Sequence, residues 1–138
     1  MILRSCTLAD CTLMAAWDPH DEMWVGNKLE WLQARLSDPS HHVYVGYMYA
    51  NWSVCDPVAW GQIKVERDYC TLAWFVGPDY RRVGFGTQMA QLLATMSARF
   101  IRARINANRP YSERIAVRLG MLPESGLLDT GEKWWVRR

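Results

Sequence analysis

Apolar positions along the chain recur in two rhythms, and the switch between them predicts the order of elements. Residues 2–6 read as a first strand. Thr7, Leu8, Ala9 and Asp10 then give the Ser/Thr-x-x-acid spacing that caps a helix start, for a helix reaching residue 17 and stopping before Asp18-Pro19. A second helix begins at Asn27, with Glu30 three residues on and Leu29, Leu32 and Leu36 on one face, and Asp38-Pro39 ends it. Three strands follow, over 43–50, over 58–65 and ending at Val76, joined by a loop at 51–57 and a tight turn at 66–68. Three in succession with short connections fit an antiparallel meander. Met89, Leu92, Leu93 and Met96 form the stripe of a third helix, and 101–106 is a short strand reached by a right-handed crossover, parallel to its predecessor. Pro110 suits the first turn of a fourth helix and Gly120 its end. Leu127-Leu128, a Thr130-Gly131 turn and residues 133–136 predict an edge hairpin. The order describes an α/β fold: a single domain over 1–138 with a mixed, mostly antiparallel sheet flanked by helices.

Composition narrows the class. The 138 residues allow one domain with one real core, and 50% apolar against 22% charged residues describes a soluble globular chain. No apolar run approaches the ~18 residues of a membrane span, and the first residues lack the pattern of a secretory signal. Cys6, Cys11, Cys55 and Cys70 are scattered without C-x-x-C or paired histidine spacing, which argues against zinc and for a reduced, cytoplasmic interior. His41 and His42 fall in a polar turn and read as solvated loop residues. The net charge of +2 is unevenly divided, −4 over residues 1–58 and +6 over 59–138. The densest basic block is Arg99, Arg102, Arg104, Arg109, Arg114 and Arg118, relieved only by Glu113. Such a half suits a multiply phosphorylated ligand or nucleic acid, and equally a solvated surface.

The chemistry concentrates in one stretch. Leu72 to Val76 is an apolar strand, and Gly77-Pro78-Asp79-Tyr80-Arg81-Arg82-Val83-Gly84-Phe85-Gly86-Thr87 follows it directly into the third helix. Gly84 and Gly86 remove Cβ atoms where the backbone enters that helix. A helix start with free N–H groups binds anions through its unsatisfied donors and its dipole together. No Lys-Ser/Thr follows the second glycine, which argues against a P-loop. Met89 stands where a dinucleotide fingerprint would place its third glycine.

The pattern Val-x-Pro-x-Tyr-Arg-x-x-Gly-x-Gly, after a strand and before an amphipathic helix, resembles the acyl-CoA loop of the GCN5-related N-acetyltransferases, the GNAT superfamily. The order of elements is similar to that family's over nearly the whole chain, and the specific motifs cover about 58–121. Gly61 in Trp60-Gly61-Gln62-Ile63 matches the family's Val-Gly-x-Ile. Asn108-Arg109-Pro110-Tyr111-Ser112 with Gly120-Met121 resembles its Asn-x-x-Ser and Leu-Gly-Phe, though the Asn-to-Ser interval is one residue longer and Met121 replaces Phe. The resemblance implies acetyl-CoA as acyl donor. Its pantetheine arm would pair with the backbone of Trp74, Phe75 and Val76 where two central strands splay apart. Its pyrophosphate would lie on the N–H groups of Val83, Gly84, Phe85, Gly86 and Thr87, with charge from Arg81 and Arg82 and with Asn108 nearby.

Acyl transfer to an amine needs a neutral amine, a donor for the thioester oxygen and a proton for the leaving thiolate. The family's frequent central-strand Glu and helix Tyr are replaced here by Ala73 and Ala116. Ser112 matches a Ser that some branches place near the thiol, and Tyr111 stands beside it; at a helix start Ser112 also suits a capping role. Asp21 and Glu22 could shape the acceptor mouth, or simply be solvated acids. Three readings stand: transfer to a primary amine by direct attack in a ternary complex, a non-catalytic acyl-CoA-binding regulatory module, and an enzyme acting on a protein or nucleic-acid amine. An exposed Trp134/Trp135 edge would suggest a homodimer.

Overall fold

The Thr7–Asp10 spacing folds as a full capping box. The Thr7 hydroxyl accepts from the Asp10 N–H at 3.3 Å while the Asp10 carboxylate accepts from the Thr7 N–H at 2.9 Å. Asn27 likewise caps the second helix through the Glu30 N–H at 3.1 Å. The computed structural model describes residues 1–17, 27–50, 53–97 and 100–138, with the backbone alone at 49–50 and 53–55. Its elements are β1 (Ile2–Ser5), α1 (Leu8–Ala15), α2 (Lys28–Ser37), β2 (His41–Ala50), β3 (Ser53–Val65), β4 (Cys70–Val76), α3 (Phe85–Met96), β5 (Ile101–Asn106), α4 (Pro110–Arg118), β6 (Leu122–Pro123) and β7 (Glu132–Arg137). Among the described residues no helix is long and apolar enough to cross a membrane.

The strands form one seven-stranded sheet in the order β1-β2-β3-β4-β5-β7-β6. Only β4 and β5 run parallel; every other neighbouring pair is antiparallel. Alternation sends side chains to two cores. On one face Ile63, Leu72, Ile101 and Ile105 pack against Met89, Leu93 and Ile115 of α3 and α4. On the other, Val43, Val45 and Trp60 pack against Cys11, Met14 and Leu32 of α1 and α2. Phe75 stacks on Trp60 with ring centroids 4.8 Å apart, and Trp31 lies 5.4 Å beyond Trp60.

Several expectations change. The stretch 51–57, expected as loop, contains the start of β3 at Ser53. Pro57 joins the ladder opposite Tyr47 at a register shift, where a proline's missing N–H is tolerated. The last hairpin differs too: β7 lies inside the sheet between β5 and β6, and the edge strand is Leu122–Pro123 rather than Leu127-Leu128. Trp135 is therefore buried, and the Arg102 guanidinium covers the Trp134 ring at 3.9 Å, so the exposed Trp134/Trp135 edge that suggested a dimer does not exist. In α3 the buried stripe is Met89, Ala90, Leu93 and Ala94, while Leu92 and Met96 face outward. His41 starts β2 with its side chain only 6% exposed and its Nδ1 2.9 Å from Asp38. Burial, working against Asp38, holds its pKa below the usual value.

Candidate functional site

β4 and β5 pair at only two positions, Cys70 with Ile101 and Thr71 with Arg102. Past them β4 continues to Val76 paired with β3 alone, and β5 continues to Asn106 paired with β7 alone. The sheet is split at its centre. Which groups face the split follows from alternation. The Cys70 N–H reaches across to Phe100 at 3.0 Å, and the Gly77 N–H points the other way, to Val58 at 2.8 Å. The backbone groups of Trp74 and Val76 therefore face the gap, and those of Phe75 face β3. At the mouth, Arg81 Nε donates back to the Val76 carbonyl at 3.2 Å.

The glycine loop begins where β4 ends. Pro78–Tyr80 makes one 3-10 turn, closed by the Tyr80 N–H on the Gly77 carbonyl. Arg82 and Gly84 then take left-handed backbone angles, φ 67° and 91°. Gly84 tolerates this without strain because it lacks Cβ, and it serves as the N-cap of α3. The first helical bond of α3 runs from Gln88 to Gly84. Among the described residues no acceptor meets the N–H groups of 83–87. They open at the positive end of a twelve-residue helix whose first turn holds no acid. Gly86 is boxed in: a Cβ there would lie 3.2 Å from Ile115 Cδ1 and 3.4 Å from Val76 Cγ2. That contact holds the start of α3 against the end of β4 and the first turns of α4.

A cavity of about 310 Å³ joins these parts. Its walls come from both faces of the sheet: Val76, Phe85 and Ile115 from the α3/α4 side, Trp17 and Phe75 from the α1/α2 side. Trp17 meets the Phe75 ring edge-on at 5.7 Å and packs over Gly77, whose added Cβ would come within 3.0 Å of the indole. The Lys28 ammonium bonds to the Trp17 carbonyl. Lys28, Arg81, Arg82, Arg109 and Arg114 line the cavity, and among the described residues no carboxylate does. The cavity is a cationic slot through the sheet.

Of the residues singled out in the sequence, Trp74, Phe75, Val76, Arg81, Arg82, Phe85, Gly86 and Ser112 line this cavity. Val83, Gly84 and Thr87 belong to the loop and helix start beside it, with Val83 62% exposed. Asn108 stands apart: it is exposed, and its N–H donates to the Asn106 side chain at 2.9 Å. Ser112 is not a cap, because the N-cap of α4 is Arg109. Ala116 is fully buried and does not reach the cavity. Glu66 sits at the opposite end of β4, bonded to Thr71 at 2.9 Å and near Arg102 at 3.5 Å. Burial tends to raise its pKa, but the bonds from Thr71 and Tyr69 and the neighbouring cations outweigh this and lower it. Asp21, Glu22 and Arg99 lie outside the described residues. Trp17, Lys28, Arg109 and Arg114 are cavity residues that sequence reasoning did not place there. Arg114 stood out only as part of a basic block, Arg109 there and inside the Asn108–Ser112 motif, and nothing local marks Trp17 or Lys28.

No family model and no curated protein sequence matches the chain. Solved structures do. A variant of the spermidine N-acetyltransferase SpeG from Vibrio cholerae superposes with TM-score 0.73 at 12% identity, covering 99% of this chain and 94% of that one. The protein yncA from Salmonella typhimurium, assigned as an acetyltransferase and solved with its cofactor acetyl-CoA, gives TM-score 0.71 at 17% identity over 99% and 92%. An acetyltransferase of the GNAT family from Streptococcus pneumoniae gives 0.63 at 11% identity over 99% and 98%. The chain has the GNAT fold. In it, the split between β4 and β5, the amide row of α3 and the α4 N-terminus meet around one slot.

Proposed function

We propose that this protein is an acyl-CoA-dependent N-acyltransferase that moves acetyl from acetyl-CoA to a primary amine by direct attack within a ternary complex. The observation that carries the reading is the continuity between the open edge of β4 and the amides of 83–87, which meet no acceptor among the described residues. The donor's chemistry fits what lies along that path. Backbone groups of Trp74 and the Val76 N–H face the gap and suit the amides of a pantetheine arm, the Val76 carbonyl being bonded to Arg81 Nε. The α3 amide row, with Arg81 and Arg82 beside it, suits a pyrophosphate. The missing side chain at Gly86 leaves the helix end close enough to β4 for one ligand to touch both.

On this reading the phosphates lie on the α3/α4 side of the sheet and the amine enters past Trp17 and Phe75. Backbone N–H groups at the gap polarise the thioester oxygen. The Ser112 hydroxyl, in the cavity wall on α4, donates to the departing thiolate. The aromatic walls keep water from the thioester. Attack requires the neutral amine, so the rate rises with pH, with a slope of about 1 in log rate, until the bound amine has lost its proton.

The test is release of coenzyme A thiol with a panel of primary amines, each followed across pH. Amine-dependent thiol release with that slope supports the proposal. Saturable acetyl-CoA binding without transfer to any amine would leave the regulatory acyl-CoA-binding module in its place.

A further inference from the structure

We propose that Cys6 and Cys11 form a dithiol/disulfide modification site at the start of α1, oxidised by a small-molecule disulfide, with Cys6 as the attacking thiol and Cys11 as the resolving one. Their Sγ atoms lie 3.9 Å apart. Thr7 is the N-cap of α1, so Cys6 precedes the cap by one residue and Cys11 is the fourth residue of the helix. Side chains at these two positions meet across a helix start as a hydrophobic staple, and here both are thiols. The backbone on either side is fixed. The Cys6 N–H bonds to the Val43 carbonyl at 2.9 Å and the Cys11 N–H to the Thr7 carbonyl at 3.2 Å. The capping box, with Arg4 on Asp10, ties the two together. A disulfide needs ~2.05 Å between its sulfurs, so closure takes about 2 Å, shared between two side chains.

Access to the pair is unequal. Cys6 is half-buried, whereas Cys11 is 0% exposed. A reagent in solution meets Cys6, and Cys11 stands behind it. Burial pushes both thiols up, so exchange is slow. Cys6 gives its proton to solvent, and its thiolate attacks one sulfur of the oxidant; that S–S bond breaks and the far half leaves as a thiolate with the electron pair. Cys11 then loses its proton and attacks Cys6 Sγ, expelling the second half. Two cysteine thiols are oxidised, one disulfide is reduced to two thiols, and the two protons end on the departing thiolates. The new bond fastens the start of α1 to the end of β1. Beyond the other end of α1 lies Trp17, whose N–H bonds to the Met14 carbonyl at 3.0 Å and whose ring walls the cavity. The bond stiffens the helix behind that wall and leaves the cavity's own groups unchanged.

The experiment equilibrates folded protein with oxidised and reduced glutathione, alkylates the remaining thiols and weighs the tryptic peptide 5–28, which holds both cysteines. Wild type is expected to lose two hydrogens from that peptide and to retain no glutathione. Conversion should need a ratio of oxidant to reductant about tenfold or more lower than in urea, where the fold no longer holds the pair. Cys70, 3% exposed on the other face of the sheet, should stay unmodified in the folded chain. Cys11→Ala, lacking the resolving thiol, should keep glutathione on Cys6, and Cys6→Ala should leave Cys11 unmodified. The wild-type comparison decides the question even where Cys11→Ala fails to fold. Free thiols at both positions after oxidation, glutathione that stays on Cys6 of wild type, or a disulfide that forms as readily in urea overturns the proposal and leaves the pair a staple.

Discussion

Adding one methyl group at Gly61 should move α3 and, with it, the amide row of the candidate site. Gly61 lies on β3 directly beneath α3, and a Cβ there would fall 2.5 Å from Met89 Sδ, 2.9 Å from Met89 Cγ and 3.0 Å from Leu93 Cδ1. Carbon contacts settle near ~3.5–4.0 Å, so relief requires roughly 1 Å of movement. Methionine is adaptable, but Met89 and Leu93 are both 0% exposed and have no solvent to move into. Overpacking of this kind costs about 1–3 kcal/mol, against which removal of a strand glycine returns about 0.5–1 kcal/mol. The balance predicts a loss of up to about 2.5 kcal/mol for Gly61→Ala. Met89→Ala alone should lose about 2–5 kcal/mol through the space it leaves. In the double variant the new methyl occupies part of that space, so the losses should fall short of their sum by about 1 kcal/mol or more. Urea unfolding at constant m-value reads all three. A stabilised Gly61→Ala, or strictly additive losses, would refute the reasoning that glycine sets the helix-to-sheet distance.

Ser112→Ala should lower the transfer rate by about tenfold to a hundredfold and leave acetyl-CoA affinity unchanged, as measured by single-turnover thiol release beside calorimetry; unchanged turnover would remove Ser112 from the mechanism. Asp10 is held by Arg4 at 2.5 and 2.7 Å and by the Thr7 cap. Burial raises its pKa but these bonds outweigh it and set it below 3.8, so its stabilisation is present above that value and is lost as pH falls through the folded one. Asp10→Asn should cost about 1–3 kcal/mol at neutral pH and flatten the acid limb of the stability profile. His41 works at higher pH: burial keeps its folded pKa below 6.5, so the unfolded chain binds the proton first. Thermal midpoints should fall as pH drops from 6.5 through the folded value, less steeply in His41→Gln, and a parallel decline in the two proteins would contradict this.

The parts of the fold legible in the sequence are those written in short-range chemistry. Thr7 with Asp10, Asn27 with Glu30, and the glycines at 84 and 86 each specify their local backbone within four residues. The failures are long-range. Residues 51–57 looked like loop because Asn51, Ser53, Asp56 and Pro57 break the apolar run, and only the register shift opposite Tyr47 shows how β3 absorbs the proline. The position of β7 depends on its pairing with β5, some thirty residues earlier, which no local pattern encodes. His41 is buried by its place in β2, not by its neighbours in sequence. The candidate site divides in the same way. The loop and the end of β4 were visible as a motif, whereas Trp17, Lys28, Arg109 and Arg114 reach the cavity only once α1, α2 and α4 are packed.

The central claim is that an acyl-CoA donor occupies the split between β4 and β5 with its phosphates on the start of α3. Calorimetric titration of the purified protein with acetyl-CoA, beside Gly84→Asp, tests it most directly. Nothing lies within 4 Å of an added Cβ at position 84, so the new carboxylate meets the amide row without touching the core, at a local backbone cost of about 1–2 kcal/mol for a side chain at φ 91°. Saturable binding by wild type, weakened by about tenfold or more in Gly84→Asp at unchanged fold, is the predicted result. No binding by the wild type, or equal binding by both proteins, would contradict the account.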